Sequence, residues 1–183
     1  MDEPLANLAL PFHAETDAAL VGRASSDEQA FGALYGRYAR YVAGVVYRIL
    51  GNDADVDDLV QETFLDARAA LKGLEDVRAL RAWLVTIAVR RVHRHLKKRR
   101  RRALFFFGVA EISARSSDPR DREAVDDLYD ALDTLPPDLR VPWSLARIEQ
   151  LTLPEVAEAC EVSLATVKRR IADADERIQR RLA

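Results

Sequence analysis

Three acidic side chains close together in the sequence, Asp57, Asp58 and Glu62, are the first candidates for chemistry. Paired carboxylates can act as general acid and general base in hydrolysis or group transfer. Such a site also needs a nucleophile, a histidine or a set of metal ligands, and no nearby His or Cys completes one. The pattern therefore argues against an enzyme. It leaves two interpretations open, a helix surface that binds a partner and a helix face that is simply solvated.

A dense group of basic residues lies further along the chain and ends in the unbroken run from Lys97 to Arg102. Clustered Lys and Arg attract the phosphate backbone of nucleic acids, although a solvated basic tail has the same composition. The whole chain has 28 Lys and Arg against 30 Asp and Glu, a net charge of -2, so the total charge favours neither interpretation. The separation of acidic from basic segments predicts surfaces with different partners.

The strongest local signal lies near the carboxyl terminus. Thr152 and Glu155 have the spacing of a capping box, with Pro154 at the start of a short helix. A turn around Glu161 follows, and Ser163 can cap a second helix. The apolar residues of that helix, which we expect to point inward, are Leu164, Val167, Ile171, Ala174 and Ile178. The pattern is that of a helix-turn-helix, whose second helix places exposed polar side chains in the major groove of DNA.

The remaining periodicity predicts an all-α protein of two small helical domains joined by a flexible linker. Apolar residues recur at helical spacing from Ser26 to Ile49, from Val56 to Ala67 and from near Val77 or Leu80 to Val92. Three such helices with short connections make one bundle. We expect a loose leader over residues 1–16, a first domain over 17–102, the linker over 103–122 and a second domain over 123–183.

Composition sets the expectations for compartment and cofactors. Cys160 is the single cysteine, so no internal disulfide can form, and no thiol-rich metal-binding spacing exists. The amino terminus lacks the pattern of a secretion signal, and no apolar run approaches the length of a membrane span. We therefore expect a cytoplasmic protein without membrane insertion, metal or cofactor.

Taken in order, these segments resemble the sigma-70 family of bacterial transcription factors, specifically its small extracytoplasmic-function (ECF) type, over residues 17–183. Residues 27–35 resemble the family's opening helix. Residues 55–65, with Asp58-Leu59-Val60-Gln61-Glu62-Thr63-Phe64-Leu65 at their centre, closely resemble its polymerase-docking signature. Residues 80–102 resemble the segment that opens and reads the minus-ten promoter element, and the loop 73–79 resembles the segment that captures a flipped base. Residues 132–140 and 151–178 resemble the region that binds the minus-thirty-five element.

The resemblance implies a sigma factor, which directs core RNA polymerase to specific promoters and initiates transcription without being an enzyme. Its implied partners are core RNA polymerase, through the clamp helices of the largest subunit, promoter DNA and an anti-sigma factor. The residues implied to bind core polymerase are Asp57, Asp58, Gln61, Glu62 and Phe64. Those implied to contact the minus-ten element are Arg78, Arg81, Arg90, Arg91, His93, Arg94, Lys97 and Lys98. Those implied to contact the minus-thirty-five element are Ser163, Thr166, Lys168, Arg169, Arg170 and Asp173.

Some positions depart from the family pattern. Arg90 stands where Asn is common, Glu161 where the turn often has Gly or Asp, and Asp173 and Asp175 where Arg is usual. Because acids do not contact phosphate favourably, the promoter sequence cannot be transferred from relatives. The alternative function is a free-standing helix-turn-helix regulator that binds DNA without polymerase. A nucleic-acid enzyme is a third hypothesis, and it lacks a metal or nucleophile cluster.

Overall fold

The computed structural model describes residues 15–105 and 122–182, which form two helical bundles without a β-strand in these ranges. The first bundle has four helices, with two short 3-10 turns, Leu71–Gly73 and Val77–Ala79, before the last of them. Its helices are α1 Asp17–Ala24, α2 Glu28–Leu50, α3 Val56–Ala70 and α4 Leu80–Phe105. The second bundle consists of α5 Arg122–Thr134, α6 Pro137–Arg147, α7 Leu153–Ala159 and α8 Leu164–Leu182.

Local chemistry sets both ends of α2. The Asp27 carboxylate accepts hydrogen bonds from the backbone N–H groups of Gln29 and Ala30, at 2.9 and 3.2 Å, and so caps the amino end. At the other end Gly51 has a φ of 73°, a left-handed conformation that a Cβ disfavours. The helix therefore ends at Leu50, and the chain turns toward α3.

The core of the first bundle is built from the apolar stripes that the sequence predicted. On α3 the five residues expected inward are all buried, namely Val56, Leu59, Val60, Phe64 and Ala67. On α2 most of the stripe is buried, whereas Tyr35 keeps 37% of its surface exposed. Since each large apolar side chain that leaves water contributes roughly 1.5–3 kcal/mol, these stripes are sufficient to hold the helices together.

The second bundle buries one face of α8 against α5, α6 and α7. Val167, Ile171, Ala174 and Ile178 are buried as predicted. The prediction was wrong for Leu164, which is 41% exposed. A helical side chain leans over the turn that precedes it, and Leu164 is the first residue of α8, so it has no preceding turn to lean on.

The two bundles pack against each other. Helices α2 and α4 of the first bundle contact α6 of the second, and α4 also contacts α7. Helix α1 begins at Asp17, α4 continues beyond the basic run to Phe105, and α5 begins at Arg122. Most of the predicted leader and linker, residues 1–14 and 106–121, lies outside the described residues, so the domain division stays a prediction. In the parts of the chain described here, no helix is both long and apolar enough to cross a membrane.

Candidate polymerase and promoter interfaces

One side of α3 carries an exposed polar surface, which we call the acidic face. It consists of four residues predicted to bind polymerase, Asp57, Asp58, Gln61 and Glu62, and all four are exposed. Their spacing of three and four residues places them side by side on the helix. Phe64, by contrast, is buried, with 3% of its surface exposed. Its ring packs edge-on against Phe31 and Tyr35, with centroid distances of 6.4 and 4.8 Å, so it positions α3 and is not part of the face.

Leu65 is an exposed residue on α3 that our list of candidate contacts omitted. Its exposed fraction is 64%, the largest among the exposed large apolar side chains of the described residues. It lies one helical turn after Gln61 and so extends the acidic face with an apolar contact. The sequence contained a signal for it, because Leu65 falls within the docking signature but outside the inward stripe of α3.

Asp66 and Glu62 connect the acidic face to α4 through arginines. Arg91 pairs with Asp66 and also with Glu62, the latter at 3.0 Å, while Arg94 lies 3.5 Å from Asp66. The Arg91 guanidinium beside Asp66 holds the pKa of that carboxyl below its usual value. The Arg91 side chain is only 26% exposed. Arg91 was predicted to contact DNA, and the structure places it between α3 and α4, where its ion pairs connect the two helices.

The other residues predicted to contact the minus-ten element follow α4 and the turn before it. Arg78 pairs with Asp76 at 3.0 Å. The Arg81 guanidinium lies 3.9 Å from the centroid of the Tyr41 ring, a cation–π contact. The remaining five recur at helical spacing along one side of α4, which we call the cationic face, and they are Arg90, His93, Arg94, Lys97 and Lys98.

Helices α7 and α8 form the predicted helix-turn-helix. Both predicted caps are confirmed: Glu155 accepts a hydrogen bond from the Thr152 N–H at 2.8 Å, and the Ser163 hydroxyl accepts one from the Thr166 N–H at 3.1 Å. In the turn, Glu161 has a φ of 54°. A left-handed conformation costs a residue with a Cβ about 1–2 kcal/mol, which explains why glycine suits this turn and makes Glu161 a strained departure.

The residues predicted to contact the minus-thirty-five element are divided between two environments. Lys168, Arg169 and Asp173 are exposed on the outer side of α8. The hydroxyls of Ser163 and Thr166 lie 2.9 Å apart within the cap. The Arg170 side chain is only 23% exposed and points toward α6, where it lies 3.7 Å from Asp138.

Asp175 departs from the family pattern because it has a structural task. Its carboxylate accepts hydrogen bonds from the indole N–H of Trp143 and from Arg147, each at 2.7 Å. Trp143 is 8% exposed, and a buried indole N–H needs a partner. The acid therefore joins α6 to α8. Sequence reasoning counted Asp175 as an unfavourable charge on a DNA-reading helix, because a partner 32 residues away leaves no trace in local spacing.

Asp138, near the start of α6, lies where the two bundles meet. Its Oδ1 atom is 2.8 Å from His93 Nε2 and 3.2 Å from Lys97 Nζ, both on the cationic face. Burial opposes ionisation of Asp138, but Lys97 and His93 outweigh it, so the pKa of Asp138 lies below its usual value. Burial and Lys97 lower the pKa of His93, against the influence of Asp138. Nearby, Glu161 pairs with Arg90 at 2.8 Å.

Arg140 makes the second connection between the bundles. It is 3% exposed, pairs with Asp133 within its own bundle, and donates hydrogen bonds to the carbonyls of Ile49 and Leu50 at 2.9 and 2.7 Å. Those carbonyls belong to the last turn of α2, where no intrahelical donor is available. Tyr129 donates to the next carbonyl back, that of Arg48, at 3.1 Å. The second bundle thus caps a helix of the first.

A cavity of about 470 Å³ lies between the bundles. Its lining includes Arg90 and His93 of α4, Val141 of α6, and Cys160 and Glu161 after α7. Burial raises the pKa of the Cys160 thiol to about 11. Within residues 15–105 and 122–182, no group of three or more His, Cys, Asp and Glu is arranged to hold a metal ion. Of the ionisable residues around this cavity, Arg90, His93 and Glu161 form contacts between the bundles.

Comparison with known proteins finds two matching family models, one in each bundle. Residues 34–102 match sigma-70 region 2, and residues 126–177 match sigma-70 region 4. The chain is 30% identical to the ECF RNA polymerase sigma-E factor of Haemophilus influenzae, over 91% of this chain and 95% of that protein. It is 32% identical to the sigma-E factor of Escherichia coli K12, over 91% and 94% of the two chains.

Two solved structures are similar over most of the chain. One is CnrH in complex with the cytosolic domain of CnrY, with a TM-score of 0.59, 27% identity, and coverage of 92% of this chain and 97% of that one. The other is the sigma factor RpoE in complex with the anti-sigma factor NepR from Bartonella quintana, with a TM-score of 0.63, 25% identity, and coverage of 83% and 96%. The first bundle has its own family match, which a free-standing helix-turn-helix regulator does not explain. The chain belongs to the ECF type of the sigma-70 family, and it is a sigma factor that directs RNA polymerase in transcription initiation.

Proposed function

We propose that the two bundles divide the work of a sigma factor among three surfaces. The acidic face of α3 docks on the clamp helices of the largest subunit of core RNA polymerase. The cationic face of α4, with the turn before it, opens and reads the minus-ten element. The outer side of α8 binds the minus-thirty-five element. The observation that carries this proposal is the separation of charge: exposed acids cluster on α3, exposed cations cluster on α4, and exposed cations outnumber exposed acids on α8.

The acidic face suits a protein partner because it repels DNA. Asp57 and Asp58 are exposed, and among the described residues neither forms an ion pair, so both are available to basic groups of a partner. Leu65 adds an exposed apolar contact on the same helix. An apolar anchor surrounded by charged residues is the usual composition of a specific protein interface.

The DNA contacts that we propose are mainly electrostatic. Lys97 and Lys98 begin the basic run on α4, and Lys168 and Arg169 lie on the outer side of α8. Cations in these positions supply affinity for phosphate, while hydrogen bonds to base edges supply specificity. Asp173 can accept a hydrogen bond from a cytosine amino group, so the base preference at that position need not follow that of relatives.

The activity that follows from these contacts is to position RNA polymerase on promoter DNA. We infer that the chain has no reaction of its own and that polymerase supplies the chemistry. We also infer that the chain acts in the cytoplasm, where the polymerase acts on the genome. The two similar structures are complexes, one of CnrH with the cytosolic domain of CnrY and one of the sigma factor RpoE with the anti-sigma factor NepR. By analogy, we propose that an anti-sigma protein binds this chain as well.

Binding to core polymerase tests the docking face directly. The variant Asp57→Lys/Asp58→Lys reverses two exposed charges that have no ion-pair partner among the described residues. The ion pair between Glu62 and Arg91 stays intact in this variant. We expect binding to core RNA polymerase to weaken by at least about tenfold, since each interfacial charge pair contributes about 1.5 kcal/mol or more. Fluorescence anisotropy of the labelled chain, titrated with core enzyme, measures this.

The matched control is Glu28→Lys/Glu158→Lys. Both residues are exposed acids outside α3, and Glu28 resembles Asp57 in lying in the first turn of a helix. The control should bind core polymerase like the parent chain. Equal binding by the docking variant and the control would refute the acidic face as the docking site. A parent chain that fails to start transcription from any promoter fragment with core enzyme would count against the wider assignment.

A further inference from the structure

The contact between the bundles uses the same cations that we assign to promoter DNA. Asp138 of the second bundle faces His93 and Lys97 of the cationic face, at 2.8 and 3.2 Å. Glu161 pairs with Arg90 at 2.8 Å. From the other side, Arg170 of the recognition helix α8 also lies 3.7 Å from Asp138. Two carboxylates therefore occupy positions beside four predicted DNA ligands from both bundles.

We propose that Asp138 and Glu161 act as an internal substitute for DNA phosphate and hold the chain in a closed arrangement with weak affinity for DNA. This inference rests on the proposed function of α4 and α8. A carboxylate and a phosphate oxygen accept the same charge-assisted hydrogen bonds from Arg and Lys, and both also accept from the N–H of a histidine ring. The same cations cannot bind promoter phosphate while they are paired across the bundles. Promoter phosphate can therefore reach Arg90, His93 and Lys97 only when the bundles separate.

The conformation of Glu161 supports the assignment. At a φ of 54° glycine would be the unstrained residue, yet the chain has a glutamate whose carboxylate reaches Arg90. Asp138 also lies in the first turn of α6, where the helix dipole favours an ionised acid even without a partner. Local backbone geometry therefore positions Glu161, and the start of α6 positions Asp138, independently of the cations that they face.

Helix packing around Arg140 fixes where the closed arrangement forms. Its hydrogen bonds to the end of α2 involve no predicted DNA ligand, so it can set the position while Asp138 and Glu161 cover the cations. The side chain of Arg48 reinforces the contact with a hydrogen bond to Glu149 at 3.0 Å. The closed arrangement thus has an anchor that is separate from the acids that cover the DNA ligands.

The single cysteine reports opening of the arrangement. Cys160 lines the cavity between the bundles, and its burial both shields the thiol and raises its pKa, so a thiol reagent reacts slowly with it. Separation of the bundles restores access. The rate of reaction with a disulfide reagent such as DTNB, on the full chain at constant pH, therefore measures how often the closed arrangement opens.

The test compares the full chain with Asp138→Asn/Glu161→Gln and with the control Glu158→Gln/Glu176→Gln. The control makes the same change in net charge at two exposed acids of the second bundle, neither of which forms an ion pair with α4 among the described residues. Two readouts are measured: the rate of thiol reaction, and affinity for a 30-base-pair duplex of mixed sequence with a central unpaired bubble. In the double variant we expect both to rise at least about threefold above the control, because the variant removes several partly exposed ion pairs together.

Three outcomes would overturn the proposal. The first is a thiol reaction rate equal to that of the control, and the second is DNA affinity equal to that of the control. The third is faster thiol reaction without tighter DNA binding, because the acids would then hold the bundles without covering DNA ligands. Neither readout uses polymerase, so these outcomes are distinct from a failure of the polymerase-docking assignment. Circular dichroism of each variant confirms that the helices remain folded.

Discussion

His93 shows how one side chain can couple the closed arrangement to pH. It faces Asp138 from α6, Arg170 from α8 and Lys97 from its own helix. Burial and the neighbouring cations outweigh the attraction of Asp138, so the pKa of His93 lies below its ordinary value of 6.5. Separation of the bundles removes both the burial contributed by α6 and the attraction of Asp138, and since burial is the largest influence on this pKa, we expect His93 to bind a proton more readily in the separated chain. Its neutral form therefore belongs to the closed arrangement.

This shift predicts that acidification opens the chain. The contribution of His93 to the closed arrangement is complete above pH 6.5 and is lost as the pH falls from there through the lowered pKa. We expect the radius of gyration, measured by small-angle X-ray scattering, to increase between pH 7.5 and pH 5.5, a range above the ordinary pKa of carboxyl groups. The variant His93→Gln should remove most of this increase. An equal increase in parent and variant would show that another group controls the change.

The structure explains two departures from the family pattern, because at each position the residue loses one favourable property and gains a specific contact. Glu161 accepts backbone strain in the turn and forms a pair with Arg90. Asp175 gives up a contact with DNA phosphate and satisfies the buried indole of Trp143. Both residues resemble errors when the sequence is compared with relatives one position at a time. In the folded chain, each acid has a specific basic or polar partner on another helix.

Helix α8 combines two roles on opposite sides. Its inner side holds the second bundle together through Val167, Ile171, Ala174 and Ile178, and through the hydrogen bonds of Asp175. Its outer side presents Lys168, Arg169 and Asp173. Asp173 and Asp175 are therefore chemically identical residues, two positions apart, with different environments. Substituting each acid in turn therefore distinguishes the hydrogen bonds that an acid forms within this bundle from the effect of its negative charge on the surface.

Alanine substitution of these two acids should have unequal effects on stability. Asp175→Ala leaves the Trp143 indole N–H buried without a partner and should reduce the free energy of unfolding by about 1–3 kcal/mol. Asp173→Ala removes an exposed carboxylate, and its effect should stay within about 0.5 kcal/mol. Urea denaturation followed by circular dichroism measures both. Similar losses in the two variants would mean that the contact between α6 and α8 does not depend on Asp175.

The elements were largely predictable because helices leave local signals. The apolar stripes of α2, α3 and α8, the two caps of the helix-turn-helix and the end of α2 at Gly51 follow from residues at most a few positions apart. The prediction that Leu164 points inward was wrong, because apolar periodicity does not show where a helix begins relative to the helices that it packs against. Phe64 was predicted to point inward, which its burial confirms, and its contact with polymerase, implied by the resemblance, stays a prediction.

At the scale of the whole molecule, the contact between the bundles was not predictable from the sequence. Arg140 hydrogen-bonds to carbonyls about 90 residues earlier in the chain, and backbone carbonyls carry no sequence identity. The predicted function also gave no indication of this contact, since cations assigned to DNA were not expected to have partners within the chain. Physical complementarity between two surfaces can be read only after both surfaces have been built.

The anchor predicts how the whole chain unfolds. Arg140→Gln removes the hydrogen bonds to Ile49 and Leu50 and leaves buried carbonyls unsatisfied, a loss of about 2–4 kcal/mol. We expect one calorimetric unfolding transition for the parent chain and two separate transitions for the variant. The control is Arg180→Gln, which changes an exposed residue that pairs, among the residues that the structure describes, with Glu176 on its own helix; this variant should unfold like the parent. A single transition at the parent temperature in Arg140→Gln would show that the bundles do not depend on this anchor.

The covalent connection between Asp138 and the cations that it faces has a consequence for competition. Because donor and acceptor belong to one chain, the carboxylate competes with DNA at an effective concentration of roughly millimolar, and dilution of the protein does not change this value. A DNA fragment must therefore displace a carboxylate of the same chain. The apparent affinity of the chain for DNA falls as the fraction of closed chains rises. Increasing the number of residues between Phe105 and Arg122 would lower that effective concentration. The length of this connection, as well as its charge, would then tune how readily the chain binds a promoter.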